Sequence, residues 1–455
     1  MAWPTIRFNR RAVAETIAST RSFIMADISI VASGSRGDVQ PYIALGQGLQ
    51  KAGYNVRLLT SNDFETLVTE AGLAFCSTGE SVERLLQSDE WRKTLESSNF
   101  LSILSHMRAE MKRGAVETVQ HLPHLLAGSD LILTGLSGMT GVFAVAEMLK
   151  IPVMQTFVFP FAPTQEFPSP LMPRLPFGRQ LNRLSFHATQ QIFWQSFKLT
   201  DITTRKTLGL DKGSFWGPFR SLSIRQVPAL YGYSRHVLPR PKDWPEQHQV
   251  TGYWFLDAPD DWRPPTDLVE FLEAGEPPVY IGFGSMGGRN PHEAGQIALE
   301  ALERSGQRGV LASGWGGLQI TRLPETVHLI SSIPHSWLFP RMAAVVHHGG
   351  AGTTAAGLRA GIPSIVVPFM GDQPFWGQRV AALGVGPRPI LKKKLTTKDL
   401  AEALSEAVSS ARMRQRADEL GQKLRAEDGI AVAVALIDRF LERASRTSSV
   451  STAVL

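Results

Sequence analysis

The chain has almost no cysteine and no long apolar run. Cys76 is its one thiol in 455 residues, so no disulfide can close within the chain and no cysteine-based metal site has its ligands. A disulfide-stapled secreted fold is excluded, and a reducing compartment is expected, the cytoplasm. A membrane helix needs roughly 18–20 consecutive apolar residues. The longest candidate, 131–163, is cut by Glu147 and Lys150 and punctuated by Gly and Pro, so the chain is expected to be soluble or peripheral to a membrane. Charge is modest, at 19% of residues against 43% hydrophobic, which excludes large-scale disorder and supplies ordinary cores. At roughly 100–200 residues per domain, the length corresponds to two or three domains.

Positive charge is in slight excess, 47 Lys and Arg against 41 Asp and Glu, for a net of +6. Part of it sits in residues 1–24, where Arg7, Arg10, Arg11 and Arg21 face only Glu15; without them the balance is 43 against 40, or +3. Three readings of this basic extension stay open: a transit-like segment, a membrane-surface arm, or an upstream start. Lys392-Lys393-Lys394 is a short basic run with no interleaved aromatics. Beyond the basic pI nothing favours nucleic acid as a partner.

From Met25 onward short β-rich runs alternate with helical ones: 28–33 into 39–52, 54–60 into 64–71, and 130–134 into 142–149 before 153–159. This spacing reads as βαβ units of a parallel sheet. Pro160, Pro163, Pro168, Pro170, Pro173 and Pro176 then interrupt a phenylalanine-rich stretch, so an ordered apolar loop is expected there. A second proline cluster, Pro239 to Pro265, marks the junction, and the βα pattern restarts at 278. The expected division is an extension 1–24, a first α/β domain 25–240, a linker 241–265, a second α/β domain 266–415, a helical segment 416–445 and a tail 446–455.

Four motifs carry chemistry. Gly282, Gly284 and Gly287 form a G-x-G-x-x-G pattern after a strand. A dinucleotide site would need an acid at the end of the next strand, and that strand ends in Ser313-Gly314-Trp315. The glycines suit close approach to another phosphate, with the Ser285 hydroxyl as donor. In the second motif, Val345-Val346-His347-His348-Gly349-Gly350-Ala351-Gly352-Thr353-Thr354, a strand runs through a glycine turn into a helix. Free amides, the helix dipole and Thr353 would converge there on an anion such as a diphosphate. His348 can donate to the same anion and offset its charge. Adjacent residues on a strand point to opposite faces, so His347 and His348 do not readily share one metal ion, and His347 is expected to be structural. No metal site is expected.

Asp372 and Gln373 follow another strand, where a carboxylate and an amide suit sugar hydroxyls; an Asx-type turn is the plainer alternative. In the first domain Gly34 and Gly37 bracket a strand-to-helix turn that places Asp38 and Ser35 at the helix start. A cap explains this pair, and so does a carboxylate aimed into a cleft.

Together these residues resemble a known family. His347–Thr354, Leu358-Arg359-Ala360-Gly361-Ile362-Pro363 and Gly371-Asp372-Gln373 resemble the donor-site signature of nucleotide-sugar-dependent glycosyltransferases of the two-domain GT-B type. Gly34-Ser35-Arg36-Gly37-Asp38-Val39-Gln40-Pro41, with Ser332-Ile333-Pro334-His335-Ser336-Trp337-Leu338-Phe339-Pro340, is similar to the bacterial antibiotic glycosyltransferases and more closely to the sterol 3β-glucosyltransferases.

The resemblance implies two Rossmann-like βαβ domains facing each other across a cleft, with a C-terminal helix packing back. The first domain would hold the acceptor and the second the nucleotide sugar. Asp38 would be the general base, with Ser35 beside it. Gly37, Ser285, His348, Gly350, Gly352, Thr353, Asp372 and Gln373 would bind the donor, expected to be UDP-glucose as co-substrate, with no cofactor. The implied reaction is an inverting, metal-independent transfer to a lipophilic alcohol such as a sterol. Two features depart from the plant small-molecule branch: no N-terminal His stands as base, and Ala356 occupies the place of a ribose-binding Glu.

Phe157–Phe177, with Phe186, Trp194, Phe197, Phe215 and Trp216, could wall a cleft for a flat alcohol, or could be ordinary core aromatics. A macrolide, flavonoid or other polycyclic acceptor fits the same reading. A nucleotide-sugar epimerase and a non-catalytic donor-binding subunit remain as readings of another class. The basic extension would favour peripheral membrane contact.

Overall fold

The computed structural model describes residues 26–79, 121–172, 178–224, 226–283, 291–313 and 323–452. The extension 1–24, Phe177, Gly284, Ser285, Gly287 and residues 453–455 of the tail lie outside the described residues.

The first domain opens with β1 (Asp27–Val31), whose Ile28, Ile30 and Val31 are buried, as a central parallel strand covered on both faces requires. Ser35 caps α1 (Arg36–Lys51), which carries Asp38 in its first turn and Lys51 in its last. β2 (Asn55–Thr60), α2 (Glu65–Glu70), β3 (Ala74–Ser77), β4 (Leu131–Thr134), α3 (Val142–Leu149) and β5 (Val153–Phe157) follow. After the proline- and phenylalanine-rich loop come the 30-residue α4 (Gly178–Thr207), α5 (Pro218–Ile224), β6 (Ala229–Tyr231) and β7 (His248–Val250).

These strands form one parallel sheet in the order β3-β2-β1-β4-β5-β6-β7. β7 falls inside the 241–265 segment expected as linker. It pairs with β6, Tyr231 opposite Val250, so the first domain extends past its expected end and the crossover begins beyond residue 250. Proline-rich sequence hid a three-residue edge strand, the position where a sheet tolerates prolines nearby.

The second domain contains α6 (Thr266–Glu273), β8 (Val279–Gly282), α7 (Pro291–Ser305), β9 (Gly309–Ala312), β10 (Val327–Ile330) and α8 (His335–Leu338). It continues with β11 (Ala344–His347), α9 (Ala351–Ala360), β12 (Ser364–Val366), α10 (Gln373–Leu383), α11 (Thr397–Ser409) and α12 (Ala411–Arg425). Its parallel sheet runs β10-β9-β8-β11-β12, so both sheets reverse direction beside their first strand. The crevice at such a reversal, outside the carboxyl ends of the strands, is where open α/β sheets bind ligands.

The last helix, α13 (Gly429–Thr452), leaves the second domain and returns to the first. Its Ala433 and Ile437 are fully buried with Ile28, Ile43, Leu45 and Leu49, and burial of each larger side chain contributes ~1.5–3 kcal/mol. Gly48 of α1 admits it closely: a Cβ there would stand 2.1 Å from Ile430 Cγ2. The domains also meet through Phe167 and Phe375, with ring centroids 5.7 Å apart, and through Tyr233 and Trp376 at 6.0 Å. Among the described residues no helix is long and apolar enough to cross a membrane.

Candidate active site

The first half of the site is the β1–α1 turn. Gly34 has φ +133°, a conformation side chains rarely adopt, and a Cβ built on it would lie 2.5 Å from Asp38 Oδ2. The turn therefore closes tightly over the carboxylate. Ser35 donates to Oδ2 twice, from its backbone N at 2.8 Å and its Oγ at 2.9 Å. The cap and the cleft carboxylate are thus one group: Asp38 reaches back over the helix start as in a capping box and still opens to the cleft. Solvent reaches the Asp38 side chain, but protein surrounds it on most sides. That enclosure raises its pKa, while the two bonds from Ser35 act the other way.

The second half is the β11–α9 turn. β11 pairs with β8 so that His347 stands opposite Gly282, which brings the end of β8 and the histidine turn to one sheet edge. His347 is fully buried, and its Nδ1 accepts from Gly349 N at 3.0 Å, the structural role expected of it. His348 points the other way. Its Nε2 lies over Gly350, where a built Cβ would come within 2.5 Å, and its Nδ1 is buried without a partner among the described residues. Burial lowers His348 to about 4. A neutral imidazole can donate a hydrogen bond to an anion but cannot offset its charge, which was expected of His348 from sequence; the helix N-terminus is the positive end nearby. Gly350 is the N-cap of α9, so Ala351, Gly352 and Thr353 form the first turn with its free amides.

The two turns face each other. A Cβ on Gly352 would stand 3.7 Å from the Gly37 carbonyl oxygen of the opposite domain. Arg36, beside Gly37, donates from Nη1 to Ser332 Oγ at 3.1 Å across the cleft. Its charge, after burial, helps hold His335 down to about 4, and His348 adds to the effect.

Asp372 completes the constellation. It sits at the N-cap of α10 without capping it; its Oδ2 accepts from Trp376 Nε1 at 2.7 Å. Burial raises it to about 7, with the negative charge of Asp38 adding to the rise across the cleft and Trp376 opposing it. Gln373 is buried, and its Oε1 accepts from Phe369 N at 2.8 Å and Met370 N at 3.1 Å. The carbonyl expected to meet a sugar is thus committed to shaping the loop, leaving the Nε2 end to donate.

Asp38, Ser35, Gly37, His348, Gly350, Gly352 and Thr353 lie on the two facing turns, and Asp372 and Gln373 lie at the start of α10 beside the second, where a Cβ on Gly349 would stand 3.1 Å from the Gln373 carbonyl oxygen, while Ser285 lies outside the described residues. Sequence reasoning gave no role to Arg36, Ser332, His335 or Trp376, although the first three stand within the motifs it quoted. Arg36 stands within the turn already singled out, so its place beside Asp38 was the available signal; Trp376, one helical turn after Asp372, was another.

The aromatic residues divide. Phe186, Trp194 and Phe197 are buried and fill the core beneath the loop, the plainer of the two readings. Phe167 reaches Phe375, three residues beyond Asp372, and so borders the site. Phe215 and Trp216, considered as cleft walls, are 57% and 55% exposed, on a turn that packs against Trp194 of α4.

Two family models match the chain: the glycosyltransferase family 28 N-terminal domain over residues 28–168, and the erythromycin biosynthesis protein CIII-like C-terminal domain over 315–435. Two sterol 3-beta-glucosyltransferases of Arabidopsis thaliana are each 37% identical to it, over 91% and 93% of this chain and 66% and 69% of their own. One from Cryptococcus neoformans is 36% identical over 92% of this chain and 27% of its own. The chain therefore spans about two thirds of the plant relatives and about a quarter of the fungal one. Among solved structures, the glycotransferase of kitacinnamycin superposes with a TM-score of 0.65 at 21% identity, covering 91% of this chain and 99% of its own. A Streptomyces sp. SF2575 glycosyltransferase complexed with thymidine diphosphate gives 0.59 at 19%, with the same coverage. At these identities the structural likeness speaks for the fold, the GT-B arrangement of two parallel-sheet domains.

Proposed function

The chain belongs to the sterol 3-beta-glucosyltransferase family, and from that premise we propose that it transfers glucose from UDP-glucose to the hydroxyl of a lipophilic alcohol, a sterol first of all. The observation that carries the reading is the approach of the turn bearing Asp38 on one domain to the α9 N-terminus on the other, where a Cβ on Gly352 would stand 3.7 Å from the Gly37 carbonyl oxygen and Arg36 bonds Ser332 across the cleft.

The chemistry follows from the positions. The acceptor hydroxyl gives its proton to Asp38 as its oxygen bonds to the anomeric carbon, and the bond from that carbon to the diphosphate oxygen breaks. The departing diphosphate collects negative charge at the first turn of α9, whose dipole presents about half a positive charge, with Thr353 and neutral His348 as further donors. The reaction needs no metal in this scheme, because the positive end of the helix offsets charge on the leaving group. A raised pKa suits Asp38 to the task, since a carboxylate of ordinary pKa near 4 is a weak base at neutral pH. Ser35 holds Oδ2, so the remaining carboxylate oxygen is the one aimed at the acceptor. Attack opposite the leaving group inverts the anomeric centre.

The test is product stereochemistry. With α-linked UDP-glucose and cholesterol, the proposal expects a β-glucoside by the coupling constant of the anomeric proton, with unchanged turnover in EDTA. An α-glucoside or metal-dependent turnover would refute the mechanism. Turnover of UDP-glucose without any alcohol would point to an epimerase, and turnover only with a macrolide or flavonoid would move the acceptor.

A further inference from the structure

The outer face of α4 has no part in the chemistry above. Its inner face, centred on Phe186, Thr189, Trp194, Phe197 and Thr204, is buried. Directly opposite, Leu181, Leu184, Leu199 and Ile202 recur at helical spacing and are 43%, 57%, 37% and 47% exposed. Phe215 and Trp216 lie alongside, and they are not loose. Gln191, Trp194 and Gln195 of α4 all donate to the Phe215 carbonyl, and Gly217, at φ +75°, lets the turn settle onto the Trp194 ring. An ordered turn thus holds two large aromatic rings in water beside Lys198, with Leu199 and Ile202 following on the helix and Leu181 and Leu184 about four turns earlier on the same face. Large apolar side chains held in water along one helix face mark an interaction surface.

Charge selects the partner. Arg179, Arg183 and Lys206 are exposed on α4, and Lys198 Nζ rests 4.5 Å from the centroid of the Phe215 ring. The helix carries one acid, Asp201, which is buried and engaged by Arg205. In the loop, Asp211 and Lys212 offset each other. Glu147, the neighbouring acid, is paired with Arg205, and aromatic rings, aliphatic side chains and the remaining long-stemmed cations form the pattern of a helix lying in the headgroup region of an anionic bilayer.

We propose that the outer face of α4, with Phe215 and Trp216, docks the protein on an anionic lipid bilayer. Trp216 and Phe215 enter the headgroup boundary, and Lys198 and Lys206 reach anionic headgroups. The inner face of the same helix packs Phe186 against Phe167, which meets Phe375 near Asp372, so docking would set the acceptor side of the cleft over the membrane. In that purpose, though not in the binding itself, the inference rests on the proposed lipophilic acceptor.

The experiment needs neither donor nor acceptor. The full chain is co-sedimented with phosphatidylcholine vesicles with and without phosphatidylserine, beside the double variants F215S/W216S and K198E/K206E. The expected result is binding of wild type to the phosphatidylserine vesicles. F215S/W216S should lower the partition coefficient by about tenfold or more while keeping the wild-type thermal midpoint, and K198E/K206E should abolish the preference for phosphatidylserine. All proteins carry residues 1–24, so any difference belongs to this face. Absence of wild-type binding, or equal partition of F215S/W216S and wild type, would overturn the proposal. A concentration-dependent dimer by light scattering that disappears in F215S/W216S would overturn it too, assigning the face to a second copy.

Discussion

Replacing Gly34 by alanine tests whether the tight turn holds Asp38 where the chemistry needs it. The added Cβ would stand 2.5 Å from Asp38 Oδ2, 2.8 Å from Cγ and 2.9 Å from its Cβ, so the carboxylate must move by roughly 1 Å to reach ordinary contact. That movement breaks the two bonds from Ser35, worth ~0.5–1.5 kcal/mol each, and φ +133° adds ~1–3 kcal/mol of backbone strain. Stability should fall by roughly 2–6 kcal/mol. A misplacement of about 1 Å can cost about 100-fold in rate, so kcat should fall on that order. UDP affinity should change less than about twofold, because the diphosphate turn lies on the other domain. Gly72 supplies the control: it also has positive φ, at +78°, but a Cβ there meets nothing within 4 Å. Gly72→Ala should cost ~1 kcal/mol of stability and leave kcat unchanged. The assay is sterol-dependent UDP release with calorimetric UDP binding alongside. A Gly34→Ala protein with near wild-type kcat would refute the placement of Asp38 as base.

Asp372→Asn should change how stability depends on pH. Its folded pKa of about 7 lies above the ordinary value of 3.8, so between these values the folded chain binds the extra proton and stability is lost as pH rises through that window. Three units set a ceiling of ~4 kcal/mol, reduced to roughly 2 kcal/mol by solvent at the cleft, and denaturant melts from pH 4 to 8 should show the loss flattened in the variant. Trp376→Phe removes the 2.7 Å bond that opposes the rise, so the same melts should show the window extending to higher pH; an unchanged window would contradict that bond's role. Gly350→Ala places a Cβ 2.5 Å from His348 Nε2 and should weaken UDP binding about tenfold, or ~1.4 kcal/mol by calorimetry. Undiminished affinity would remove His348 from the diphosphate site.

Much of this arrangement is legible in the sequence because strand ends and glycine turns have local signatures. Ile28–Val31 reads as a buried strand from its β-branched residues, and Gly34-Ser35-Arg36-Gly37-Asp38 as a strand-to-helix turn, and both stand where expected. Local pattern does not say what a side chain meets across a cleft. The Arg36 to Ser332 bond joins residues 296 positions apart, and the Asp38 influence on Asp372 likewise exists only once two domains face each other. The Gln373 bonds to Phe369 and Met370 are local, but nothing in the residue types distinguishes an amide that shapes its own loop from one turned to a ligand. Aromatic residues were ambiguous for a related reason: composition does not separate the inner face of α4, where Phe186 and Phe197 are buried, from Phe215 and Trp216 outside. Only the helix orientation does.

The central claim is that Asp38 takes the proton from an alcohol bound opposite the donor. It is tested most directly by UDP release from UDP-glucose, with and without cholesterol, for wild type and Asp38→Asn side by side. The account predicts cholesterol-dependent release in wild type and a fall of about 10²–10⁴-fold in Asp38→Asn, with UDP affinity retained. Cholesterol-dependent release that persists in Asp38→Asn would contradict it.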